Sequence, residues 1–555
     1  MKWIILFLLI PTLLFSQTYY IDYTTGNDEN NGLTTSTAWK NVDSVLNYNT
    51  TKSKWSVIGA GDSILLKRGE IWNPSVVGSS ALIYPPLGKQ GAEGDSIYIG
   101  AYGAGARPIL SKAASGATSV IAFLGTKYFI VEDLEIRGKI QFSTNSSYQS
   151  TGYSRLTNLL INCSGVAATN GAISHANSIL SDELANEVWT NYWAEHIDIG
   201  QCSVINTPTT AIKFWLGRYI KIHHNYIFTG SGPGAGVDFG EGNCDTIEYN
   251  YIISPGGHGI KMQAQRYTID SLVIRGNIIK ASTIYASPLV LYQSRYSQIY
   301  NNTFIGNTTN TGTGYYYGLG VGWVGSQPIY FSGQGTWGVD SCLFENNIIY
   351  GGILLNINLN TGLVYHYPIV TFPDTIRFTW TADSLMKRNT WKNNIIFKGS
   401  GNTLRVRTRT WHSAVYEHYW NTATLGACLF STCTNTSHPA PYYQWTANLS
   451  TPWASLITTA NFETAWNGAY STIADNLSVD PALSNINGIN FEDFIPLRGS
   501  PCDSAGIIIA DWKEDILGRP VNPTILPTIG AFYIGDTTYI PPFEGLTKKL
   551  ILKPY

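Results

Sequence analysis

The chain is short of charge, of methionine and of long apolar runs. Only 13% of its 555 residues are Asp, Glu, Lys or Arg, 35 basic against 37 acidic, and no block of Lys or Arg stands out. Without a basic patch there is no electrostatic footprint for nucleic acid or for an anionic membrane, and neither partner is expected. No segment beyond the N-terminus reaches the 18 or so apolar residues of a membrane span, so no membrane insertion is expected. Seven Cys in a chain of this length are not a disulfide framework, and an odd number leaves at least one unpaired. At 44% hydrophobic the chain can bury a large core, which excludes disorder and small disulfide-stapled scaffolds.

What it has instead is 54 Gly, 35 Tyr and 17 Trp beside abundant Asn and Thr, a β-rich and turn-rich composition with aromatic surface to spare. Residues 1–16 read as an export signal, with Lys2, the apolar run Trp3 to Phe15 and small Ser16. The expectation is a soluble monomer that is secreted, periplasmic or displayed at the cell surface. In that compartment Cys428 and Cys433 could close a small loop, and Cys163 and Cys202 fall at the same place in the repeat described next.

One short pattern recurs: alternating apolar residues, then Asn, then more apolar residues. It appears around Asn162, Asn225, Asn250, Asn277, Asn302, Asn347 and Asn394, as in Ile247-Glu248-Tyr249-Asn250-Tyr251-Ile252-Ile253, and Gln201 fills the place before Asn225. From Gln201 to Asn302 the steps are 24, 25, 27 and 25 residues. A coil of about 25 residues cannot bury its own apolar face, so coils must stack and share a core. Alternation rich in β-branched and aromatic residues makes each short run a strand paired in parallel with its counterpart one coil on. A side-chain amide both donates and accepts, so Asn stacked on Asn at about 4.8 Å can satisfy its neighbours above and below. The fold class predicted is all-β, a right-handed parallel β-helix.

The organisation follows from that period. Residues 17–400 form the solenoid, opened by a capping helix over about Ala38 to Leu46 with Ser36 or Thr37 as N-cap, because a parallel stack exposes core and strand edges at its ends. Residues 401–475 lose the period and carry Trp411, Trp420, Trp445, Trp453 and Trp466, which predicts an aromatic-rich side lobe. Order returns in 476–535, a finishing segment of the solenoid, and 536–555 are a tail.

The opening Tyr20-Ile21-Asp22 with Gly26-Asn27-Asp28 and Gly32-Leu33, the segment Ile97-Tyr98-Ile99-Gly100-Ala101-Tyr102-Gly103, and the closing Gly499-Ser500-Pro501 with Ile529-Gly530-Ala531-Phe532 carry a resemblance. They resemble secreted bacterial β-helix proteins of the pectin-lyase-like superfamily, and the early coils are similar to the chondroitinase B and alginate lyase group. That resemblance implies polysaccharide chemistry, in some members with calcium. This chain departs from the group in lacking an Arg-His pair after its candidate lysine; Arg266-Tyr267 is not a substitute for it.

Chemistry is expected on a second strand of each coil, after the ladder turn, whose outward side chains form columns on a long groove. Aligning the inward Ile212, Val237, Ile260 and Leu289 puts Lys213, Asp238, Lys261 and Val290 in one outward column, about 5 Å per rung. The next column holds Trp215, Gly240, Gln263 and Tyr292, with Glu241 and His258 at nearby turns. In β-elimination of a uronate, Lys261 or Lys213 would remove the C5 proton, His258 or Arg266 would assist, and Asp238 with Glu241 would orient the site or bind calcium. In hydrolysis, Asp238 and Glu241 would be the acid and base carboxylates. Trp215 and Tyr292 offer faces for sugar rings, and Gln263 and Arg266 offer polar contacts. A column of alternating charges also forms simply because its members pair and solubilise the face. His223-His224, just before Asn225, would project from another face and reads as a structural pair. The function expected is cleavage of a polysaccharide by elimination or hydrolysis, elimination slightly favoured, and the rival is a non-catalytic glycan-binding or adhesion solenoid.

Overall fold

The structure is a computed structural model. It describes residues 16–73, 81–112, 119–145, 147, 150–165, 171–177, 193–262, 269–281, 286–291, 294–306, 319–322, 339–351, 353–359, 361–363, 377–379, 389–397, 404–410, 471–477 and 479–534. The expected side lobe and the tail therefore lie almost wholly outside the described residues, as do Cys428 and Cys433.

The chain winds into a parallel β-helix with three strands per coil. One coil runs through a first strand Ile212–Arg218, a second Lys221–His223 and a third Tyr226–Thr229, and the following coil repeats this as Val237–Asn243, Thr246–Glu248 and Tyr251–Ser254. Each strand pairs in parallel and in register with its counterpart, Ile212 with Val237, Ile222 with Ile247, Ile227 with Ile252. Among the described residues the third strands make an 11-stranded sheet, from Ile71–Trp72 to Ile395–Phe397. The alternation read in the sequence is what the stack needs: Ile212, Phe214 and Leu216 point inward and are buried, while Lys213 and Trp215 between them are not. Inside, Phe123 and Phe142 lie 5.3 Å apart and Phe214 and Phe239 5.6 Å apart, continuing the same inward column.

The bend between second and third strands is carried by a buried ladder. Asn225, Asn250, Asn277, Asn302, Asn347, Asn394 and Asn476 are its rungs. At each step the Oδ1 of the next Asn accepts both the backbone N–H and the Nδ2–H of the one before, as Asn250 Oδ1 does from Asn225 at 3.0 Å each. Asn250 Nδ2 also donates to the carbonyl of Ile222 at 2.8 Å, so the bent backbone is satisfied without water. The residue before each rung is left-handed, for example His224 at φ 53°, Tyr249 at 53° and Asn301 at 52°. This geometry corrects two expected rungs. Gln201 takes the left-handed place (φ 56°), and Cys202 occupies the rung, donating its N–H to Asn225 Oδ1 at 2.9 Å. In the coil before, Asn158 is left-handed and the buried Leu159 follows it, so Asn162 lies at the end of the third strand instead. Cys163 and Cys202 are accordingly not equivalent, and both are free thiols, as are Cys244 and Cys502.

At the N-terminus the expected nine-residue helix is one 3-10 turn, Thr35–Thr37, and one α-turn, Val42–Val45. The first is capped by Thr34, whose Oγ1 accepts from Thr37 N, so Thr37 lies within the turn rather than ahead of it. Trp39 between them pairs with Ile21 as an extended bridge, which prevents a continuous helix. Val42, Val45 and Leu46 are fully buried against the same core as Ile21 and Ile64. At the other end, Ser471–Ala474 and Asn476 complete a coil. The chain then runs back along the outside of the third strands: Tyr251 donates to the Ile489 carbonyl, Arg275 to that of Asp511 and Asn346 to that of Ile507. Phe494, Trp512, Ile516 and Phe532 pack there with Tyr249, Tyr251 and Ile278 as a second apolar cluster outside the solenoid.

Candidate functional site

The first-strand sheet places the column read from the sequence in register: Lys213 opposite Asp238, Asp238 opposite Lys261, Lys261 opposite Val290. Asp238 is nearly fully buried, at 4% exposure, although its position is outward on the strand. Lys213 Nζ lies 3.7 Å from its Oδ2 and 4.6 Å from the centroid of the Trp215 ring. The Trp215 ring in turn rests on Gly240 of the next coil, where a Cβ would come within 2.6 Å of Cε3. A cation, a carboxylate and an aromatic face thus converge on two adjacent coils.

Lys261 completes the set. Burial pushes its ammonium below the ordinary lysine range; Asp238 opposes that and Lys213 adds to it. His258, three residues earlier, is in the loop that leads into the same strand. Its Nδ1 accepts the backbone N–H of Ser287 at 3.0 Å, which puts the imidazole proton on Nε2. Burial first, and Lys261 second, hold its pKa down at about 4, so the ring is neutral at physiological pH and presents a donor. The loops around it stack with almost no room: a Cβ on Gly257 would lie 1.4 Å from the Gly234 carbonyl oxygen. The glycine-rich run 231–236 is thereby explained as backbone-on-backbone packing.

The backbone of Glu241 pairs with that of Leu216, three residues along the strand from Asp238. Gln263, Arg266 and Tyr292 lie outside the described residues. Sequence reasoning missed Ser174, which stands opposite Lys213 on the preceding coil and is buried, with Gln141 one coil further back. Ile173-Ser174-His175 has the same alternation, but the segment 178–192 lengthens the step to Ile212 and hides the period.

Asp238 is flanked by two lysines, so a divalent cation beside it would face their ammonium groups. Among the described residues no group of three or more His, Cys, Asp or Glu side chains is arranged to hold a metal ion. No helix among them is long and apolar enough to cross a membrane.

A family model matches residues 194–323, the coils that carry this column. It is NosD, described as a periplasmic copper-binding protein. The match spans well under half of the chain. Cys163, Cys202 and Cys502 are buried with their thiols pushed up to about 12, and His175 is enclosed in the core with its pKa down at about 3, so these four are not offered to a metal ion. Among solved structures, the chain is similar to the GH136 lacto-N-biosidase from Eubacterium ramulus, with 15% identity over 72% of this chain and 68% of that one, TM-score 0.41. It is similar to XylC in complex with xylose, 10% identity over 93% and 98%, TM-score 0.44, and to a PL6 family polysaccharide lyase from Pseudopedobacter saltans, 15% identity over 85% and 95%, TM-score 0.34. No curated protein matches.

Proposed function

We propose that this protein is an exported carbohydrate-active β-helix that cleaves an acidic polysaccharide by β-elimination on the Lys213–Asp238–Lys261 column. The observation that carries the reading is the placement of two lysines in register on either side of a buried carboxylate, beside an aromatic platform. In this reading Trp215 holds a sugar ring and Lys213 neutralises the uronate carboxylate, which acidifies the C5 proton. Lys261, whose ammonium is destabilised by burial, is the base. It takes the C5 proton; the C5–H electron pair forms the C4=C5 double bond, the C4–O bond breaks, and the leaving oxygen takes its proton from solvent. Asp238 balances the two cations and keeps them apart. Elimination is the preferred reading because the column offers two lysines to one carboxylate, whereas hydrolysis works through two carboxylates.

The test is the ultraviolet absorbance of an unsaturated uronate product, run beside a reducing-sugar assay on a panel of acidic and neutral polysaccharides, with calcium and with chelator. Rising absorbance that persists in chelator supports the reading. Reducing ends without absorbance would make the protein a hydrolase, and silence in both assays with retained glycan binding would make it a binding solenoid.

A further inference from the structure

The bend between first and second strands carries a column of its own, one left-handed residue per coil. Tyr128, Tyr153, His196 and Tyr219 occupy it in succession, with φ from 48° to 61°. Their rings are stacked: the centroids are 5.1 Å apart for Tyr128 and Tyr153, 4.6 Å for Tyr153 and His196, and 4.6 Å for His196 and Tyr219, whose planes differ by 14°. These spacings match the strand separation of about 4.8 Å, so there is one ring per coil and the ring faces look along the solenoid axis.

The stack then breaks. The next two coils bring only Cys244 and Ser271 to this corner, and a ring returns at Tyr296; the amides of Tyr219, Cys244 and Ser271 donate to the carbonyls of Asn243, Asp270 and Arg295, which fixes the four as consecutive members. Tyr219 and Tyr296 are 50% and 56% exposed. Three coils separate them, about 14 Å. One face of Tyr219 is taken by His196; the other looks over the two short side chains, and its hydroxyl reaches the sulfur of Cys244. Beside this gap stand Asn243, whose Oδ1 accepts from Cys244 Sγ at 3.1 Å, and Asp270, whose two oxygens accept from Arg295 at 2.8 and 2.6 Å. The Arg295 guanidinium lies 6.0 Å from the centroid of the Tyr296 ring. The result is a notch open to water, with an aromatic ring at each end, a thiol and a hydroxyl on its floor, and an amide and an ion pair at its side.

We propose that this notch binds a neutral pyranose at the end or on a branch of a glycan, as a second carbohydrate site separate from the lysine column. Tyr219 lies six residues beyond Lys213, at the far end of the same first strand and about 20 Å away, so one sugar does not reach both. The C–H face of the sugar packs on the uncovered face of Tyr219, which extends the stack by one ring. A chair is thicker than a flat ring and fills the space that two missing side chains leave. Its hydroxyls meet Asn243 and Asp270; each Asp270 oxygen keeps a lone pair beyond the one that Arg295 uses. The charges at the notch cancel within the Asp270–Arg295 pair, which favours an uncharged sugar over a uronate. Tyr219 and Tyr296 close the notch along the axis, so a chain cannot run through it, and the sugar enters from solvent as an end or a branch.

Linear and branched neutral oligosaccharides of glucose, xylose, mannose and galactose, offered to the full chain, test this. Cys244 is partly exposed whereas Cys163, Cys202 and Cys502 are buried, so maleimide labelling of Cys244, mapped by peptide mass, reads occupancy of the notch. A sugar that fits should slow that labelling several-fold at saturation, and Tyr219→Ala should weaken its binding by about tenfold in calorimetry. Cys244→Tyr carries the stack into the notch. Tyrosine already takes this left-handed place at Tyr128, Tyr153, Tyr219 and Tyr296, so the variant should keep its melting temperature, and it should abolish binding. Lys261→Ala should bind the sugar as the wild type does, whether or not the lysine column catalyses elimination. Failure of every oligosaccharide to protect Cys244, binding that survives both Tyr219→Ala and Cys244→Tyr, or binding lost in Lys261→Ala would overturn the proposal.

Discussion

The Trp215 ring is held over Gly240 of the following coil, so closely that a methyl at 240 would meet both Cε3 at 2.6 Å and the Trp215 carbonyl oxygen at 2.8 Å. The backbone atom cannot move aside as a side-chain tip would. Gly240→Ala should therefore shift the strand and the ring, costing roughly 1–3 kcal/mol of stability. On the proposed reading KM for the polysaccharide rises several-fold while the pH profile is unchanged. Chemical denaturation and steady-state kinetics on the same variant separate the two effects; a variant with unaltered KM would remove Trp215 from substrate binding.

Lys261→Ala is expected to abolish turnover and leave the thermal transition nearly unchanged, because the side chain points out of the apolar core. The base must be uncharged to accept a proton. Burial lowers its pKa from the ordinary 10.5, so activity should rise with pH along a limb displaced to the acid side of free lysine. His258, protonated only near pH 4, should add no limb between pH 5 and 8. A pH–rate profile of wild type against His258→Gln decides this: loss of a limb near pH 6 in the variant would contradict the assignment.

Asn250→Ala removes a rung with bonded neighbours on both sides. The N–H of Asn225 and the carbonyl of Ile222 would lose partners in a buried site, at a cost of roughly 1–3 kcal/mol. An unchanged melting temperature would mean that the ladder does not support the bend.

Asp245 gives a pH dependence that activity does not touch. Its Oδ1 accepts the N–H of Ile220 at 2.8 Å, but Oδ2 is buried with no partner, and burial raises its pKa to about 8. A carboxyl whose folded pKa lies above its unfolded value of about 3.9 is harmless at low pH and costs stability progressively as pH rises toward 8. At the corresponding place in a later coil, Asn389 accepts from Cys342 N and donates from Nδ2 to the Val339 carbonyl. Asp245→Asn should reproduce that pattern, with the Gly217 carbonyl as acceptor. The variant's melting temperature should exceed the wild type's at pH 8–9 and the difference should shrink toward pH 4. A constant difference would show that Asp245 does not titrate across that range.

The solenoid was legible because its period is written in residue types with one physical use. Asn at the bend and β-branched or aromatic residues on alternate positions recur at a step close to 25 residues, and six of the rungs expected from them are rungs. The errors came where residue type and position part company. Gln201 and Cys202 are neighbours, and nothing local says that the amide takes the left-handed turn and the thiol the rung. Asn476 was missed because 82 residues separate it from Asn394. The column Lys213–Asp238–Lys261 could be aligned from alternation alone, since a parallel sheet in register turns sequence spacing directly into spatial neighbours.

What alternation could not give is how far a side chain is buried, where a loop delivers its residues, or where the chain goes once the coils end. Asp238 is outward by pattern and yet almost fully buried, and His258 meets Ser287 across a loop. The return of residues 479–533 along the third strands, which sets Glu514 against His224, depends on contacts separated by hundreds of residues and on no repeated pattern. The sequence by itself determined the repeat, because each coil must bury the same stripe against the next. Only the tertiary structure decided the electrostatics, because desolvation and pairing depend on what packs over a side chain, and that comes from elsewhere in the chain.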